Sequence, residues 1–324
     1  MRLGACFLLL GLGGAACVEL PDFPSAQEVA GPRLLALVAE PPEAGPGQQV
    51  QLSLLVAEAD VLEVSWRLCP GFYTFSGMQY QDAPTVEGCS GSVDFPLPDG
   101  LQSVVDVSPV VEQLLTDEAW QTEVLGGLEL SEDALALILA EVGFPVVIEA
   151  RARIADGRIL VGIKRLLLSF RYGQNTNPDQ PAFVFSTRTG LDVGMTYQGS
   201  FECAGSDGGP LRLPAGETVE VAPDLRPNMT EESWLEYYNV IDPRGALLEG
   251  RKERAHYAFY STNNGFAEDE TLSPLRNNQY TVATAGCHRL WFIVQDGHGG
   301  LSACGVDVEP VGASTPDPVD CVGR

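Results

Sequence analysis

Twice in this chain a turn marked by proline and glycine opens an alternating apolar strand. The first is Pro46-Gly47-Gln48-Gln49-Val50-Gln51-Leu52, and the second is Pro214-Ala215-Gly216-Glu217-Thr218-Val219-Glu220-Val221. Alternation with a period of two is the signature of a strand buried on one face, and the preceding turn formers fix where it begins. Each opening follows a short strand, Leu34 to Ala39 in one case and Leu211 to Leu213 in the other. At the far ends Arg153-Ile154-Ala155-Asp156-Gly157 matches Ile293-Val294-Gln295-Asp296-Gly297, each a strand running into an Asp-Gly turn and out into another strand. Asp-Gly favours the positive φ of a tight hairpin. Two units with variable loops and a common plan account for the repetition.

Between these marks each unit carries one aromatic-rich strand, Val64-Ser65-Trp66-Arg67-Leu68 and His256-Tyr257-Ala258-Phe259-Tyr260. Immunoglobulin-like sandwiches place there the bulky residue that fills the space between their sheets. Turn-strand opening, aromatic strand and closing hairpin together resemble bacterial immunoglobulin-like or PKD-like modules, and the paired domains of lipoproteins from high-GC, myxobacterium-like genomes. The resemblance implies a mainly β chain of two tandem Ig-like β-sandwich domains, at 33–173 and 181–311, and brings no catalytic residues with it.

One stretch departs from a plain sandwich. Ser108-Pro109 can cap and start a helix with Val110, Val111, Leu114 and Leu115 on one face. Ser131-Glu132-Asp133 opens a second helix, with Leu135, Ile138, Leu139 and Val142 as its apolar face and Gly143 and Pro145 at its end. A helical hairpin over 108–143, inserted into the first domain and covering an open edge or end of the sandwich, is the expectation. The polar, turn-rich run at 174–180 reads as a linker, and 312–324 as a tail pinned by Cys321.

Arg2 and the apolar stretch Leu3 to Ala16 have the layout of a secretory signal, and about 14 residues are too few to cross a bilayer of ~30 Å. Gly14-Ala15-Ala16-Cys17 resembles the lipobox of bacterial lipoproteins, which implies removal of 1–16 and lipidation of Cys17. Residues 17–32, with acids and prolines, then read as a tether with an extended limit of roughly 50 Å. Val18 after the cysteine points to the outer membrane by the enterobacterial rule. The protein is thus expected in the cell envelope, held to a membrane by its lipid.

Cysteine arithmetic agrees with that reading. Of eight cysteines, Cys6 leaves with the signal and Cys17 takes the lipid, so Cys69, Cys89, Cys203, Cys287, Cys304 and Cys321 remain to form up to three bridges. Cys69 and Cys89 form a local pair across a loop of about 20 residues. Pairing Val294 with Leu301 across the closing turn sets Cys287 opposite Val308 and Cys304 opposite Trp291. These two cysteines are then roughly 13 Å apart along the strand, too far to bridge. Cys203 precedes the second domain's opening strand, which in many sandwiches runs beside the last one, so Cys203 is assigned to Cys304 and Cys287 is left for Cys321.

Without Arg2 the chain has 18 basic against 44 acidic side chains, a net charge of −26, which repels nucleic acid. The only imidazoles, His256, His288 and His298, have no partner at metal-ligand spacing. His298 is expected on an exposed hairpin tip. Ala267-Glu268-Asp269-Glu270 reads as a solvated loop, and Asn228-Met229-Thr230 as a chance sequon. No nucleophile elbow, phosphate loop or dinucleotide fingerprint occurs. The expectation is a non-enzymatic envelope lipoprotein without cofactor or metal, whose domains serve as binding or spacer modules for an envelope protein or a polysaccharide. The alternative is a hydrolase acting through paired loop carboxylates.

Overall fold

The computed structural model describes residues 27–70, 95–118, 132–171, 175–178, 182–188, 195–202, 209–224, 235–241 and 248–312. The first unit runs through β1 (Arg33–Glu40), β2 (Glu43–Ala44), β3 (Gln49–Ala57), β4 (Val61–Pro70), β5 (Phe95–Pro96), β6 (Gln102–Asp106), α1 (Val107–Thr116), α2 (Glu132–Glu141), β7 (Phe144–Ile154) and β8 (Ile159–Leu168). The second comprises β9 (Ala182–Arg188), β10 (Met195–Glu202), β11 (Leu211–Pro214), β12 (Thr218–Asp224), β13 (Tyr237–Ile241), β14 (Leu248–Lys252), β15 (His256–Ser261), β16 (Glu270–Leu272), β17 (Asn278–Thr281), β18 (His288–Gln295) and β19 (Leu301–Val311). The mainly β class and the sandwich architecture read from the sequence are what the chain adopts.

In the first unit a sheet ordered β1-β3-β6 faces one ordered β2-β8-β7-β4-β5. Trp66 of β4 is buried between them with Leu37, Val50, Leu52, Val105, Val146 and Ile148, and its indole Nε1 donates to the Gly100 carbonyl at 2.8 Å. The second unit opposes β11-β19-β18-β15-β16 to β10-β9-β12-β17. Its core is aromatic: Phe183 stacks on Phe292 with centroids 4.1 Å apart, and Phe259 and Tyr257 meet Phe183 edge-on. Both aromatic strands thus occupy the place the sequence assigns them.

Both helices form, and α1 and α2 send Val107, Val110, Val111, Ile138 and Leu139 into the first core. The connection between them lies outside the described residues, as do Ser131 and the side chains of Leu114 and Leu135. Two details differ from expectation. Asp106, not Ser108, caps α1 by accepting from the Ser108 N–H at 3.0 Å, because the helix begins two residues earlier. Leu115 is 44 % exposed, one position off the buried stripe of Val107, Val110 and Val111.

The closing turns are at Asp156-Gly157 and Asp296-Gly297, with φ of 87° at Gly157 and 82° at Gly297. The second hairpin is shifted by one residue from the expected register: Gln295, not Val294, faces Leu301, and Cys304 faces Phe292, not Trp291. A carboxylate that closes the turn from within, described below, holds the tighter loop 296–300, one residue shorter than the expected register leaves.

The largest departure from a tandem arrangement is the contact between the units. One face of β1 and β3 belongs to the first core, through Leu37, Ala39, Val50 and Leu52. The other face gives Leu35, Ala36, Val38 and Leu55 to Ala258, Tyr260, Ile293, Leu301 and Ala303 of the second unit. The β1 side of the sheet β1-β3-β6 is therefore an inner layer, while Val104 on the outward face of β6 stays 42 % exposed. A bulge at Leu35 reconciles the faces: register shifts between Leu34 and Ala36, and Leu34 is turned onto Gly162, where a Cβ would come within 2.9 Å of its methyls.

The chain is also held earlier than the tether reading allowed. Ser261 N–H donates to Gln27 O at 3.0 Å and Val29 N–H to Ser261 O at 2.9 Å, and Val29 is buried with Ala57 and Trp291. Residues 1–26, including the stretch read as a secretory signal and Cys17, lie outside the described residues, as do Asn228 and the stretch from 313.

A seam of this kind couples the units. The wild-type chain should melt in one calorimetric transition, whereas Ala36→Asp, which buries a carboxylate among apolar neighbours, should cost on the order of 3 kcal/mol and split the transition in two. Two separate transitions in the wild type would contradict the coupling.

Candidate functional site

Where the seam ends, beside the β18–β19 turn, its apolar surface gives way to a cluster of buried ionisable groups. Asp296 organises the turn: its Oδ1 accepts from the backbone N–H groups of His298, Gly299 and Gly300 at 2.6, 2.9 and 2.9 Å. Three amides converging on one oxygen need a tightly wound backbone, and Gly299 has φ of 123°. At Gly300 a Cβ would lie 2.0 Å from Asp296 Oδ2 and 2.7 Å from the Thr176 carbonyl, so only glycine fits.

That winding carries His298 inward. It is 6 % exposed, stacks on Tyr238 with ring centroids 3.9 Å apart, and has Nδ1 3.3 Å from Glu253 Oε1. The expectation of an exposed tip is thereby corrected: Asp-Gly predicts the turn, but the neighbouring hairpin β13–β14 and the first unit cover it. Glu253 Oε2 accepts from the Glu236 N–H at 2.8 Å.

The first unit supplies the opposing charges. Lys164 Nζ donates to the Gly299 carbonyl across the seam. Glu43, fully buried, accepts from Arg171 through both carboxylate oxygens, Nε to Oε1 at 2.8 Å, and from the Asn175 N–H at 3.0 Å. Asn177 ties the layers: its Nδ2 donates to the Ala39 carbonyl at 2.8 Å and to the Glu40 carboxylate, while its Oδ1 accepts from Leu301 N–H at 2.7 Å. Ser302 Oγ donates to the Pro178 carbonyl. The described part of the segment read as a linker is therefore bound into the seam.

Burial dominates the proton equilibria here. It pushes Glu253 up to about 7, only partly offset by the Glu236 N–H and the Arg171 charge. It pushes His298 down to about 4, helped by the Arg165 and Arg171 charges, and Lys164 down to about 8 against the attraction of Asp296. Burial and the Glu253 charge raise Asp296 above the usual carboxylate range, and burial raises Glu236. Glu43 goes the other way: burial would raise it, but hydrogen bonds from Arg171, Ser169 and Asn175 outweigh that and leave it low. Among the described residues five of the seven buried side-chain atoms without a hydrogen-bond partner lie here, on Asn175, Glu253, Asp296 and His298. Protonated acids resolve part of this, since an O–H can donate where a carboxylate cannot.

The cluster is closed to large molecules, with Glu253 3 % and Asp296 0 % exposed. Its chemistry is the holding of protons and of two surfaces. An open groove of about 400 Å³ elsewhere is lined by Ser53, Leu54, Val56, Asp60, Leu101 and Gln102, with Asp60 the only carboxylate in its lining. Paired carboxylates of the glycosidase kind are not assembled in it. Among the described residues no three His, Cys, Asp or Glu side chains are grouped to hold a metal ion. Residues 267–270 instead turn into β16, where Glu270 accepts from or donates to His256 Nδ1 at 2.8 Å. His288 Nε2 lies 3.1 Å from the Ala285 carbonyl.

Of the cysteines, Cys17, Cys89, Cys203 and Cys321 lie outside the described residues, and Cys69, near the end of β4, pairs through its backbone with Val147. Cys287 and Cys304 are each disulfide-bonded. Extending the register from Cys304 opposite Phe292 puts them five positions apart, roughly 16 Å, too far to bond to one another.

No family model matches the chain, and no curated protein does. Among solved structures it is similar to fibronectin(III)-like modules of Clostridium thermocellum CbhA, at 10 % identity over 86 % of this chain and 92 % of that one, with a TM-score of 0.20. It is also similar to the Bacteroides ovatus mixed-linkage glucan utilization locus protein SGBP-B in complex with a heptasaccharide, at 9 % identity over 87 % of this chain and 48 % of that one, TM-score 0.18. A third is dimeric latent PorU from Porphyromonas gingivalis, at 10 % identity over 88 % of this chain and 24 % of that one, TM-score 0.19.

The seam makes a signed pH prediction. Folded Glu253 keeps its proton to about 7 whereas the unfolded chain releases it near 4.5, so its contribution to stability falls as pH rises between those values. Folded His298 stays neutral to about 4 whereas the unfolded chain takes up a proton near 6.5, so its contribution falls as pH drops from 6.5 to 4. The two slopes oppose, each up to about 1.4 kcal/mol per pH unit. Relative to wild type, Glu253→Gln should lose more stability in urea melts on acidification from pH 6.5, and His298→Gln on alkalinisation from pH 4.5. Parallel pH profiles for all three proteins would refute this.

Proposed function

We propose that the chain is a non-enzymatic lipoprotein of the bacterial cell envelope, held by a lipid on Cys17, whose fused sandwiches serve as a rigid binding or spacer module. The observation that carries the module reading is the seam. A body whose two halves share an apolar layer and interlocking polar groups presents its loops at fixed separation, as a platform for a partner must. An envelope protein or a polysaccharide is the proposed partner class, and the outer membrane the proposed location. The sealed ionisable cluster supports a structural rather than a catalytic use of the carboxylates it contains.

The lipid reading is supported by the Gly14-Ala15-Ala16-Cys17 motif and by the cysteine count. Among the described residues no helix is long and apolar enough to cross a membrane. For the bridges we propose Cys69 with Cys89, Cys203 with Cys304 and Cys287 with Cys321. The parallel pairing of β11 with β19, which brings the strand that follows Cys203 beside the one that contains Cys304, supports the second of these.

Cys17→Ser should abolish metabolic labelling with palmitate and move the protein from the membrane pellet to the soluble fraction, since each buried CH₂ contributes about 0.8 kcal/mol and the anchor carries two or three chains. Unchanged sedimentation would overturn the anchor.

A further inference from the structure

The docking of Gln27 to Val29 fixes where a lipid on Cys17 can lie. Two backbone hydrogen bonds to Ser261 and the burial of Val29 hold the chain from residue 27 onward. Nine residues separate Cys17 from Gln27. Ten Cα steps reach at most about 35 Å, and a flexible chain of that length spans roughly 17 Å on average. The eleven-residue strands β7 and β19 are themselves roughly 36 Å long. The end of the molecule at Ser261 therefore lies within easy reach of the leaflet, whereas the opposite end would come to it only with the intervening chain drawn taut.

At that end three connections of the second unit converge. Thr262 N–H donates to the Arg289 carbonyl, Thr281 N–H to the Gly265 carbonyl and Gly216 N–H to the Val282 carbonyl, so the loops after β11, β15 and β17 form one surface. The stretches 261–267 and 281–291 contain no aspartate or glutamate, in a chain of net charge −25; at the same end Glu217 stands in the loop after β11, Glu28 pairs with Ser261, and Arg289 lies 3.8 Å from Asp307. The first unit turns Glu58, Asp60 and Asp156 to the same side: Ala57 meets Val29 and Trp291, and Ala155 N–H donates to the Asp60 carbonyl. Anionic headgroups repel those carboxylates and leave the second unit's loops the nearer surface.

We propose that the protein lies against the lipid headgroups through the Ser261 end of its second unit, with loops 262–267 and 282–287 facing the leaflet. This orientation rests on the lipid anchor at Cys17 proposed above. The partner surface is a phospholipid leaflet, and the opposite end, with the β16–β17 connection, α1 and the buried cluster, faces away from it.

The test uses the full lipidated chain in vesicles of phosphatidylethanolamine and phosphatidylglycerol. A genetically encoded fluorophore replaces exposed Ala285, Leu275 or Asp156 in turn, and the quencher is a nitroxide carried on the lipid headgroup. Quenching several-fold stronger at Ala285 than at either other position is the expected result. Vesicle-bound protein quenched most at Leu275 or Asp156, or equally at all three, overturns the orientation while leaving the anchor intact. Protein that remains in solution overturns the anchor and the orientation with it.

Discussion

The fold depends on one sheet being covered on both faces along β1 and the Leu55 end of β3. β1 and β3 must satisfy two hydrophobic environments at once, so Leu37 and Ala39 point into the first core while Ala36 and Val38 meet the second unit. Alternation with a period of two makes this workable, since neighbouring residues go to opposite sides. The same alternation makes it unforgiving: a slip of one position would exchange core and seam residues along the whole strand. The outer face of β15, β18 and β19 obeys the same constraint, with Tyr257, Phe259 and Phe292 inward and Ala258, Tyr260 and Ile293 toward the seam.

Hydrophobic contact alone would leave the stacked sheets free to slide. The polar border of the seam removes that freedom, because hydrogen bonds are directional and buried charges tolerate little displacement. Asn177 engages β1 and β19 with opposite ends of a single amide. Lys164 meets a carbonyl whose position is set by the amides gathered on Asp296. The cost is desolvation of several ionisable groups. It shows in the upward shifts of Glu253 and Asp296 and the downward shifts of His298 and Lys164.

Local features were legible in the sequence because their causes are local. The opening turns at Gly47 and Gly216, the Asp-Gly closures, the aromatic strands at Trp66 and Tyr257 and the two helices follow from propensity and periodicity. The seam was not legible, although one sign of it was present: the run Arg33-Leu34-Leu35-Ala36-Leu37-Val38-Ala39 is apolar on both faces after its arginine, as an inner strand must be. The run from Asn175 to Pro178 has the composition of a linker, and only its surroundings turn its amides into ties. His298 was misplaced for a related reason. A turn motif specifies backbone geometry and says nothing of what packs over it, and Asp296-Gly297-His298-Gly299-Gly300 reads alike whether exposed or covered.

The position of Val29 has a mechanical consequence. A pull on the N-terminal chain enters the molecule between Ala57 and Trp291, one residue from each unit, at the Ser261 end of the seam. Tension applied there is divided between two bodies at their common boundary, and the connecting segment at Asn175 to Pro178 lies outside the direct load path. The weakest element under such tension is the short pairing with Ser261, held by two hydrogen bonds and one valine. It would yield first and free a few residues before either sandwich is strained.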